Sequence, residues 1–587
     1  MLLPARPLLG RGKDTARGGR GKGRPRPRGS GARAGGRSRS LALGTEGCST
    51  LRVPDPAPLA DAVFARLEEV TAPDRVERTP ATLEAYARDA CPLGHLAFAA
   101  GADPPWRRPQ AVVWPTSVAE VQEIVRVCRA AGVPLVPWGA GSGVCGGTLA
   151  VRGGVALDLK RLDRLVEIEP CAQLVTVEPG LNLQLLEDAL GRAGFTLGHF
   201  PSSITCSTIG GALAARGAGQ LSTRYGKVED MVVGLSVVLP DGTLVRTPVV
   251  PRAATGPDWN QVFVGSEGTL GIIVGATLRL WRRPEVRLFR SYAFGSLSAG
   301  LAAVREGLQR GARPAAVRLY DPLDTLLVAR AGDASPAPLP SAELPPDPPL
   351  GRSWPHSVST WGGLRELLSG LLPELGRRGK AALLRRPEQL NALVDRLPGT
   401  SLLILTFEGE ERLAAAEEEV FAEVCARLGA EDRGPEPAER WWRNRIAVSF
   451  KQSEVYALGA FVDTMEVATT WDRLEALHDA VRGALARHAL VMAHFSHAYP
   501  EGCSMYFTFA AARGEPAEAL ERYRAAWRDA QAAVVSCGGA VSHHHGVGLL
   551  KAEGLRRSHG ALHGVLSALK RTLDPENILN PGKLGLP

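Results

Sequence analysis

The feature that most constrains the fold is a glycine-rich loop that directly follows a short apolar stretch. In VPLVPWGAGSGVCGG (133–147), glycines stand at positions 139, 141 and 143. Residues without a Cβ let successive backbone N–H groups converge on an anion. Residues 141–146 match the spacing GxGxxG, but the following TLAVRGGVALDL contains no helix of the length that a nicotinamide-binding Rossmann unit requires. The loop therefore predicts a phosphate cradle of another kind.

Two further stretches have the same character. FPSSITCSTIGGALAARGAG (200–219) combines hydroxyl side chains with glycines, and VGSEGTLGIIVGATLRL (264–280) places glycines before a strongly apolar strand. Any one of these stretches alone can be a tight turn. Three of them within one unit indicate a site for a large, phosphate-bearing ligand.

The chain has 587 residues, which is long enough for several domains and for the burial of a large cofactor. AVVWP (111–115) predicts a strand, and the helix after it carries a capping box from Ser117 to Glu120 and ends at Gly132. A Pro-Asp-Gly turn at 240–242 separates two strands. We predict five segments: a disordered basic extension (1–50), a helical segment (51–104), an α/β unit (105–285), an α+β domain (286–535) and a C-terminal loop and helix (536–587). In the α+β domain we expect strands such as 314–321 and 402–409 and a helix at 413–429. In the C-terminal segment we expect a helix around 555–572.

The first 45 residues differ from the rest in charge, with twelve Lys and Arg against the single acid Asp14. They contain few large apolar side chains, so they cannot offset the entropy of ordering. This stretch can be an N-terminal extension, a basic tail for nucleic acid or another anionic surface, or an Arg-rich transit peptide. Because the net charge of +8 originates there, we expect no nucleic-acid partner. The proline-dense stretch 333–351 predicts a surface loop.

The sequence also bounds the cellular setting. It contains no run of 18 apolar residues, which argues against a membrane-spanning helix. Nine cysteines without a CxxC pair indicate reduced thiols, and no apolar secretory segment is present. We therefore expect a cytoplasmic protein.

Three consecutive histidines occur in SHHHGVG (542–548). They can be metal ligands, a solvent-exposed run or polar groups of an active-site loop. Three adjacent residues rarely point at one ion, and a metal would need distant partners such as His494 and His497. The flanking residues are apolar and tight, which argues against a surface run. We favour an active-site loop in which imidazoles donate to a carbonyl or phosphate, and we predict no metal.

The motifs resemble those of flavoproteins of the vanillyl-alcohol-oxidase type, and most of all the branch of alkylglycerone-phosphate (alkyl-dihydroxyacetonephosphate) synthases and bacterial FAD-linked oxidases. The resemblance runs from about Thr79 to the end of the chain. It implies an α+β fold: a two-subdomain FAD-binding domain at 105–285, an α+β cap domain at 286–535 and a C-terminal helical segment. It rests on nine motifs in order: PWGAGSG (137–143), PSSITCSTIGG (201–211), TGPD (255–258), GSEGTLG (265–271), RLYD (318–321), EVATTWDRL (466–474), SHAYPEGCSMYFTF (496–509), HHHGVG (543–548) and DPENILNPGK (574–583).

The resemblance implies that FAD lies against four loops. Many relatives tether the flavin through a histidine, but residues 137–147 contain none, and His199 is not at a recognised tether position. We therefore expect noncovalent FAD. The implied cofactor-binding residues are Pro137, Trp138, Gly139, Ala140, Gly141, Ser142, Gly143, Ser202, Ser203, Ile204, Thr205, Cys206, Ser207, Thr208, Ala215, Arg216, Gly217, Ala218, Gly265, Ser266, Glu267, Gly268, Thr269, Leu270 and Gly271.

The resemblance also implies the catalytic residues: Tyr506, His543, His544, His545 and Arg318. Because a phenol has a pKa near 10, Tyr506 needs positive charge or donors nearby to accept a substrate proton, and we expect the histidines to supply them. Taken without the resemblance, Arg318 can equally form a salt bridge with Asp321.

One position departs from the family pattern. Where the family commonly holds a substrate phosphate with arginine, this chain has Lys451, or Gln452 if the alignment shifts by one residue. A lysine can bind phosphate as a point charge but lacks the bidentate fork of arginine. A phosphorylated substrate is therefore less firmly implied than the flavin.

Two reactions are compatible with the resemblance. A synthase would exchange an acyl for an alkyl chain on dihydroxyacetone phosphate through a flavin adduct. An FAD-linked oxidase or dehydrogenase would oxidise a 2-hydroxy acid or an alcohol, with Tyr506 or a histidine taking the hydroxyl proton. The motifs disfavour a flavin-binding protein without catalysis. A lipid substrate would bring the enzyme into peripheral contact with membranes. The sequence leaves open whether the chain forms a homodimer.

Overall fold

The computed structural model describes residues 58–330, 386–396, 399–446, 461–511 and 514–587. The basic extension, the proline-dense stretch 333–351 and Lys451 lie outside these ranges. In the described ranges, no helix is long and apolar enough to cross a bilayer. The α-helices are Asp61–Val70, Pro80–Ala85, Pro92–Ala99, Val118–Ala130, Leu183–Arg192, Ile209–Ala215, Ser222–Tyr225, Val228–Met231, Trp259–Phe263, Leu297–Gln309, Pro322–Arg330, Pro387–Val394, Glu411–Arg427, Glu436–Asn444, Leu474–Ala486, Pro516–Ser536, Ala552–His559 and Ala561–Leu573.

The first sheet has four strands in the order β1-β2-β4-β3 and carries the glycine-rich loop. Its β2–β4 and β3–β4 pairs are parallel, as expected for strands joined by the crossover helix Val118–Ala130. The predicted cap of that helix is confirmed, since the Ser117 side chain accepts a hydrogen bond from the Glu120 amide. The loop begins where β3 ends, at Trp138. The strands are β1 (Val76–Glu77), β2 (Ala111–Val113), β3 (Leu135–Trp138) and β4 (Val155–Asp158).

The second sheet is antiparallel, with five strands in the order β5-β6-β10-β8-β9. The predicted turn at 240–242 is confirmed, because it joins the paired strands β8 and β9. Helices Leu183–Arg192 and Ile209–Ala215 contribute buried leucines and alanines to the core against this sheet. The strands are β5 (Leu165–Glu169), β6 (Leu174–Val177), β8 (Val232–Val238), β9 (Leu244–Arg246) and β10 (Ile272–Arg279), and a separate two-stranded ribbon joins β7 (Phe195–Thr196) to β11 (Trp281–Arg282).

The third sheet has seven strands in the order β15-β12-β14-β13-β17-β18-β16, and all its pairs are antiparallel. Four helices contribute to the core on one face: Leu297–Gln309, Glu411–Arg427, Leu474–Ala486 and Pro516–Ser536. This leaves the opposite face to carry polar side chains of the inner strands. The strands are β12 (Val286–Phe294), β13 (Ala316–Tyr320), β14 (Ser401–Gly409), β15 (Glu431–Asp432), β16 (Phe461–Thr470), β17 (Leu490–Ala498) and β18 (Gly502–Ala511).

The C-terminal segment returns to the first sheet. The single helix predicted around 555–572 is instead two helices, because Gly560 adopts a φ of 49° and breaks the helix. After the second helix, the chain runs beside β3: the Leu135 amide donates to the Ile578 carbonyl at 2.7 Å, and the Asn580 amide donates to the Leu135 carbonyl at 2.9 Å. The histidine loop 542–548 therefore lies in a segment tied to the strand that precedes the glycine loop.

Candidate active site

The register of three neighbouring strands brings three polar side chains into one row. Tyr506 on β18 pairs directly with Glu466 on β16 and with His494 on β17. Directly paired residues point to the same face of a sheet, so the three side chains lie side by side. The His494 ring stacks on the Tyr506 ring, with centroids 4.8 Å apart and an interplanar angle of 22°.

The histidine loop lies against this row. The His545 ring meets the Tyr506 ring edge-on, with centroids 5.4 Å apart, and the His544 ring is parallel to it at 6.1 Å. His543 is turned toward Tyr499, whose hydroxyl is 3.1 Å from His543 Nε2. The structure therefore brings together Tyr506, His543, His544 and His545, as the resemblance implies.

Two buried carboxylates hold the backbone of the loop. Glu466 Oε1 accepts hydrogen bonds from the Ser542 hydroxyl at 2.8 Å, from the His544 amide at 3.0 Å and from the His545 amide. Glu267 accepts the amides of Val547, at 2.6 Å, and Gly548, at 2.9 Å. Glu267 belongs to a predicted cofactor loop, so one loop contributes both to the cofactor site and to the placement of the histidines.

Arg318 lies on β13, next to the row on β17. Its guanidinium donates to His494 Nδ1 at 3.2 Å and lies 5.1 Å above the Tyr320 ring. Its Nε is buried, and no acceptor for it exists within the described ranges. The alternative salt bridge with Asp321 is wrong, because the Asp321 carboxylate instead accepts the amides of Asp324 and Ala493.

Two residues that the sequence suggested only as distant metal partners belong to the same cluster. One is His494, described above, and the other is His497. The His497 ring lies 4.7 Å from the His544 ring, and its Nδ1 is 2.7 Å from the Ser222 hydroxyl. His497 has a φ of 53°, a conformation that is costly for a non-glycine residue and is common at functional sites. Among the described residues, no group of His, Cys, Asp and Glu is arranged to hold a metal ion.

The imidazoles of the cluster are neutral at physiological pH. Burial lowers the pKa of His543 and His544 well below the ordinary value, to about 4 for His545 and to about 3 for His497. Each ring further lowers the pKa of others, because protonated neighbours would repel it. A neutral imidazole can donate from one nitrogen and accept at the other.

The histidines supply no positive charge to Tyr506, and their help as hydrogen-bond donors stays a prediction. Burial raises the pKa of Tyr506 to about 12, and the nearby charge that opposes this rise is that of Arg318. Neutral imidazoles carry no charge with which to stabilise a phenolate. Tyr506 is therefore a neutral phenol before substrate binds, and any proton it takes must come with a compensating transfer to a neighbour.

The predicted cofactor loops meet one another. Gly139 packs on the loop 202–208 so closely that a Cβ would lie 2.6 Å from Thr208 Oγ1. Gly141 has a φ of 65° and lies on the Trp138 ring. The hydroxyls of Ser142, Ser207 and Ser203 form a chain, with Oγ separations of 3.0 and 2.7 Å.

Polar groups around these loops fit a large polar ligand such as FAD. The backbone N–H groups of 141–143 donate to no acceptor in the part of the chain that the structure describes. Buried side-chain atoms without a partner in those ranges include both ring nitrogens of His199, Nε of Arg216 and Oε1 of Gln220. These donors and acceptors would hold the ribityl, phosphate and ring oxygens of the cofactor.

The other predicted cofactor residues differ in what they expose. The side chains of Ile204 and Leu270 belong to the core against the second sheet and that of Ala218 is buried, so these residues offer a ligand only backbone atoms. Thr205 and Cys206 are exposed at the surface of their loop.

Arg445 is a candidate site residue that the sequence did not suggest. Its guanidinium stacks on the Trp442 ring at 3.8 Å and lies 6.0 Å from the Phe200 ring. Its Nε is buried without a partner in the described ranges, and burial lowers its pKa to about 10. Its carbonyl accepts from Gln220 beside the cofactor loops. The doublet of tryptophans before it was the available signal in the sequence.

Known proteins are similar to this chain in sequence and fold. Residues 109–248 match the family model of an FAD binding domain, and residues 283–584, more than half of the chain, match that of the C-terminal domain of FAD linked oxidases. Alkyldihydroxyacetonephosphate synthase of Caenorhabditis elegans is 28% identical over 81% of this chain and 76% of its own. The uncharacterized FAD-linked oxidoreductase YgcU of Escherichia coli O157:H7 is also 28% identical, over 81% of this chain and 89% of its own.

A solved alkyldihydroxyacetonephosphate synthase has the same fold, with a TM-score of 0.67 at 22% identity, covering 90% of this chain and 85% of the synthase. The predicted α+β architecture of the vanillyl-alcohol-oxidase type is thereby confirmed, and so is FAD as the cofactor. With its cofactor loops, its seven-stranded sheet and its histidine loop in these places, the chain belongs to the family of FAD-linked oxidases.

Proposed function

We propose that this FAD-dependent enzyme acts in the manner of alkyldihydroxyacetonephosphate synthase, replacing the acyl chain of an acylated dihydroxyacetone phosphate with an alkyl chain. The observation that carries the proposal is the contact of the neutral histidine loop with Tyr506, at ring distances of 5.4 and 6.1 Å. An exchange without net oxidation requires groups that remove a proton from carbon, return it and donate to a departing carboxylate. A neutral phenol beside neutral imidazoles can perform all three.

Each residue then has a distinct task. Tyr506 takes the proton from the substrate carbon while its own phenolic proton passes to a neutral imidazole of the loop, and the reverse transfer returns the proton. His544 and His545 donate from ring N–H groups to the oxygens of the substrate and of the departing carboxylate. FAD, when bound, supplies an electrophilic ring system beside these residues.

Two arginines support an anionic substrate. Arg318 and Arg445 both have a buried Nε without an acceptor in the described ranges, and both stack on aromatic rings. A buried arginine stays cationic at neutral pH, and its planar fork matches phosphate or carboxylate. We assign the phosphate of the substrate to this pair, with Lys451 as a further candidate outside the described ranges.

The same pair of arginines also favours a second candidate, an FAD-linked oxidoreductase acting on a 2-hydroxy acid. A carboxylate would engage the guanidinium fork as readily as a phosphate does. A histidine of the loop would then take the hydroxyl proton, and FAD, when bound, would supply the hydride acceptor. The similarity to YgcU supports this candidate as much as the similarity to the synthase supports the first.

The two candidates separate in one anaerobic experiment. Purified enzyme is incubated with palmitoyl-dihydroxyacetone phosphate and a long-chain alcohol, and separately with a panel of D-2-hydroxy acids, while the flavin spectrum and released fatty acid are followed. Fatty-acid release that requires Tyr506 and leaves no reduced flavin supports the synthase. Bleaching of the flavin by a hydroxy acid, without fatty-acid release from the other substrate, contradicts it and establishes the oxidoreductase.

A further inference from the structure

Glu466 is fully buried on β16, in the position that pairs with Tyr506. One carboxylate oxygen accepts from Ser542, His544 and His545. The other accepts from the ammonium of Lys551, which is also fully buried and donates in addition to Ser542 Oγ at 3.0 Å. Both oxygens of this carboxylate are thus used on the histidine loop and the residue that supports it.

A buried ion pair of this kind does not by itself indicate stabilisation. Removing two charges from water costs several kcal/mol per ion, roughly, and the attraction between them often does no more than offset that cost. A pair of apolar side chains would fill the same volume without it. The specific feature here is that two consecutive amides of the loop, those of His544 and His545, point at one oxygen atom.

Fixing two consecutive amides fixes both peptide planes, and with them the directions in which the side chains leave the backbone. The two rings concerned are the ones that contact Tyr506. The hydrogen bonds of Glu466 go to the histidine loop and to Lys551.

We propose that Glu466 is a positioning residue of this site: its carboxylate, held by Lys551, sets the orientation of the His544 and His545 rings toward Tyr506. The inference rests on the proposed function only for its activity readout, because the orientation of the loop is a property of the protein alone.

The charged and titratable groups around Glu466 are few. Lys551 and His545 face it, and Cys145 and Asp463 lie near Lys551. Asp463 points to the opposite face of β16 and is engaged by the Tyr523 hydroxyl at 2.8 Å and the Trp527 indole N–H at 3.0 Å. Burial alone would raise the pKa of Glu466, but the Lys551 ammonium lowers this pKa to about 2. The carboxylate therefore stays charged throughout the working range of the enzyme.

Two double variants separate positioning from simple burial. Glu466→Gln/Lys551→Met removes both charges but keeps an oxygen that can accept the loop amides. Glu466→Leu/Lys551→Met removes the charges and the acceptor together, while filling the volume with apolar atoms. Both relieve the buried charge, so both should fold and bind FAD. A control is Asp574→Asn, which removes a different buried carboxylate paired with lysine and bonded to backbone amides.

We expect kcat to remain within about tenfold of wild type in the Gln/Met variant and to fall roughly 100-fold or more in the Leu/Met variant, with less change in KM. Asp574→Asn should lower the melting temperature without this loss of kcat. The Glu466 charge raises the pKa of His545 and the Lys551 charge lowers it by less, so NMR titration of His545 should show a lower pKa when both double variants lose the two charges together. Amide hydrogen exchange at 544 and 545 should accelerate in the Leu/Met variant alone.

Normal kcat and unchanged amide exchange in Glu466→Leu/Lys551→Met would overturn the proposal. If that variant does not fold, the exchange measurement on Glu466→Gln/Lys551→Met decides, because loss of protection there would show that an uncharged oxygen cannot hold the loop. If no substrate turns over with the wild-type enzyme, the proposed function fails, while the exchange and titration results still test the role of Glu466.

Discussion

The Glu267 carboxylate accepts the backbone amide of Gly548 at 2.9 Å, although the two residues are 281 positions apart in the chain. Glu267 lies in the cofactor loop 265–271, with a φ of 51°, and Gly548 ends the histidine loop. The Asn580 side chain adds a second connection by donating to the Glu267 carbonyl at 2.7 Å. The cofactor loop and the histidine loop are therefore parts of one hydrogen-bonded unit, and a substitution in one should change the structure of the other.

Shortening Glu267 should weaken both FAD binding and turnover. Asparagine tolerates the positive φ but is too short to reach the loop, so Glu267→Asn should leave the Val547 and Gly548 amides unpaired, at a cost on the order of 1–3 kcal/mol for each. We expect a higher dissociation constant for FAD, measured by titration of the apoprotein, and faster amide exchange at 547 and 548. Glu267→Gln, which keeps an acceptor of the same length, is the control. Identical FAD affinity in both variants would show that the two loops are independent.

Tyr506→Phe should remove the proton-exchanging group while keeping the stack on His494. Turnover should fall by roughly 10²–10⁴, as is typical of a general acid or base, with FAD still bound. His544→Ala and His545→Ala should weaken substrate binding as well as turnover. Combined with Tyr506→Phe, their effects should be far from additive, because residues that act as a unit lose their joint effect once.

Two results would contradict the roles proposed for Tyr506 and the histidine loop. Near-normal turnover of Tyr506→Phe in whichever assay proves active would exclude it as the proton-exchanging group. Loss of activity on chelation, with recovery on addition of zinc, would make the histidine loop a metal site instead.

The buried imidazoles should make the free energy of unfolding of the enzyme depend on pH in the acidic range. The pKa of His545 is about 4 in the folded chain and near 6.5 in the unfolded chain, so its contribution to stability is complete above about pH 6.5 and declines as the pH falls from there through 4. We therefore expect the difference in unfolding free energy between wild type and His545→Gln to change with pH only below about 6.5. A difference that is constant between pH 7 and pH 4 would show that His545 titrates normally.

The flavin should be released completely by acid or denaturant. No histidine occurs in the loop 137–147, and the backbone amides and hydroxyls around the cofactor loops bind without a covalent bond. Absorbance of the supernatant after precipitation measures this. Flavin that stays with the precipitate would identify a tether, and His199→Ala would then test the buried histidine beside the cofactor loops.

Removal of residues 1–45 should leave FAD content and turnover unchanged. The stretch is rich in Arg and Gly and lacks the apolar side chains that would join a core. The truncated and full-length proteins are compared by flavin-to-protein ratio and by kcat. A truncated protein that loses its flavin would show that this stretch contributes to the folded unit.

Much of the site could be predicted because its elements are marked locally. The glycines at 139 and 141 indicate a turn that only residues without a Cβ can make. The four residues from Ser117 to Glu120 indicate the start of a helix. The run of three histidines was recognisable for the same reason. The break at Gly560 was missed because the apolar periodicity continues on both sides of it.

The sequence by itself determined the class of cofactor, the order of the elements and most of the residues expected to approach the flavin, since these depend on neighbours in the chain. Only the tertiary structure decided the geometry and the charge of the candidate site. The row formed by Glu466, Tyr506 and His494 depends on strand register. The Nε groups of Arg318 and Arg445 are buried without a partner among the described residues, which depends on the side chains that the fold brings beside them. The neutrality of the histidines, which removes the positive charge expected beside Tyr506, arises from burial, and burial is set by residues hundreds of positions away.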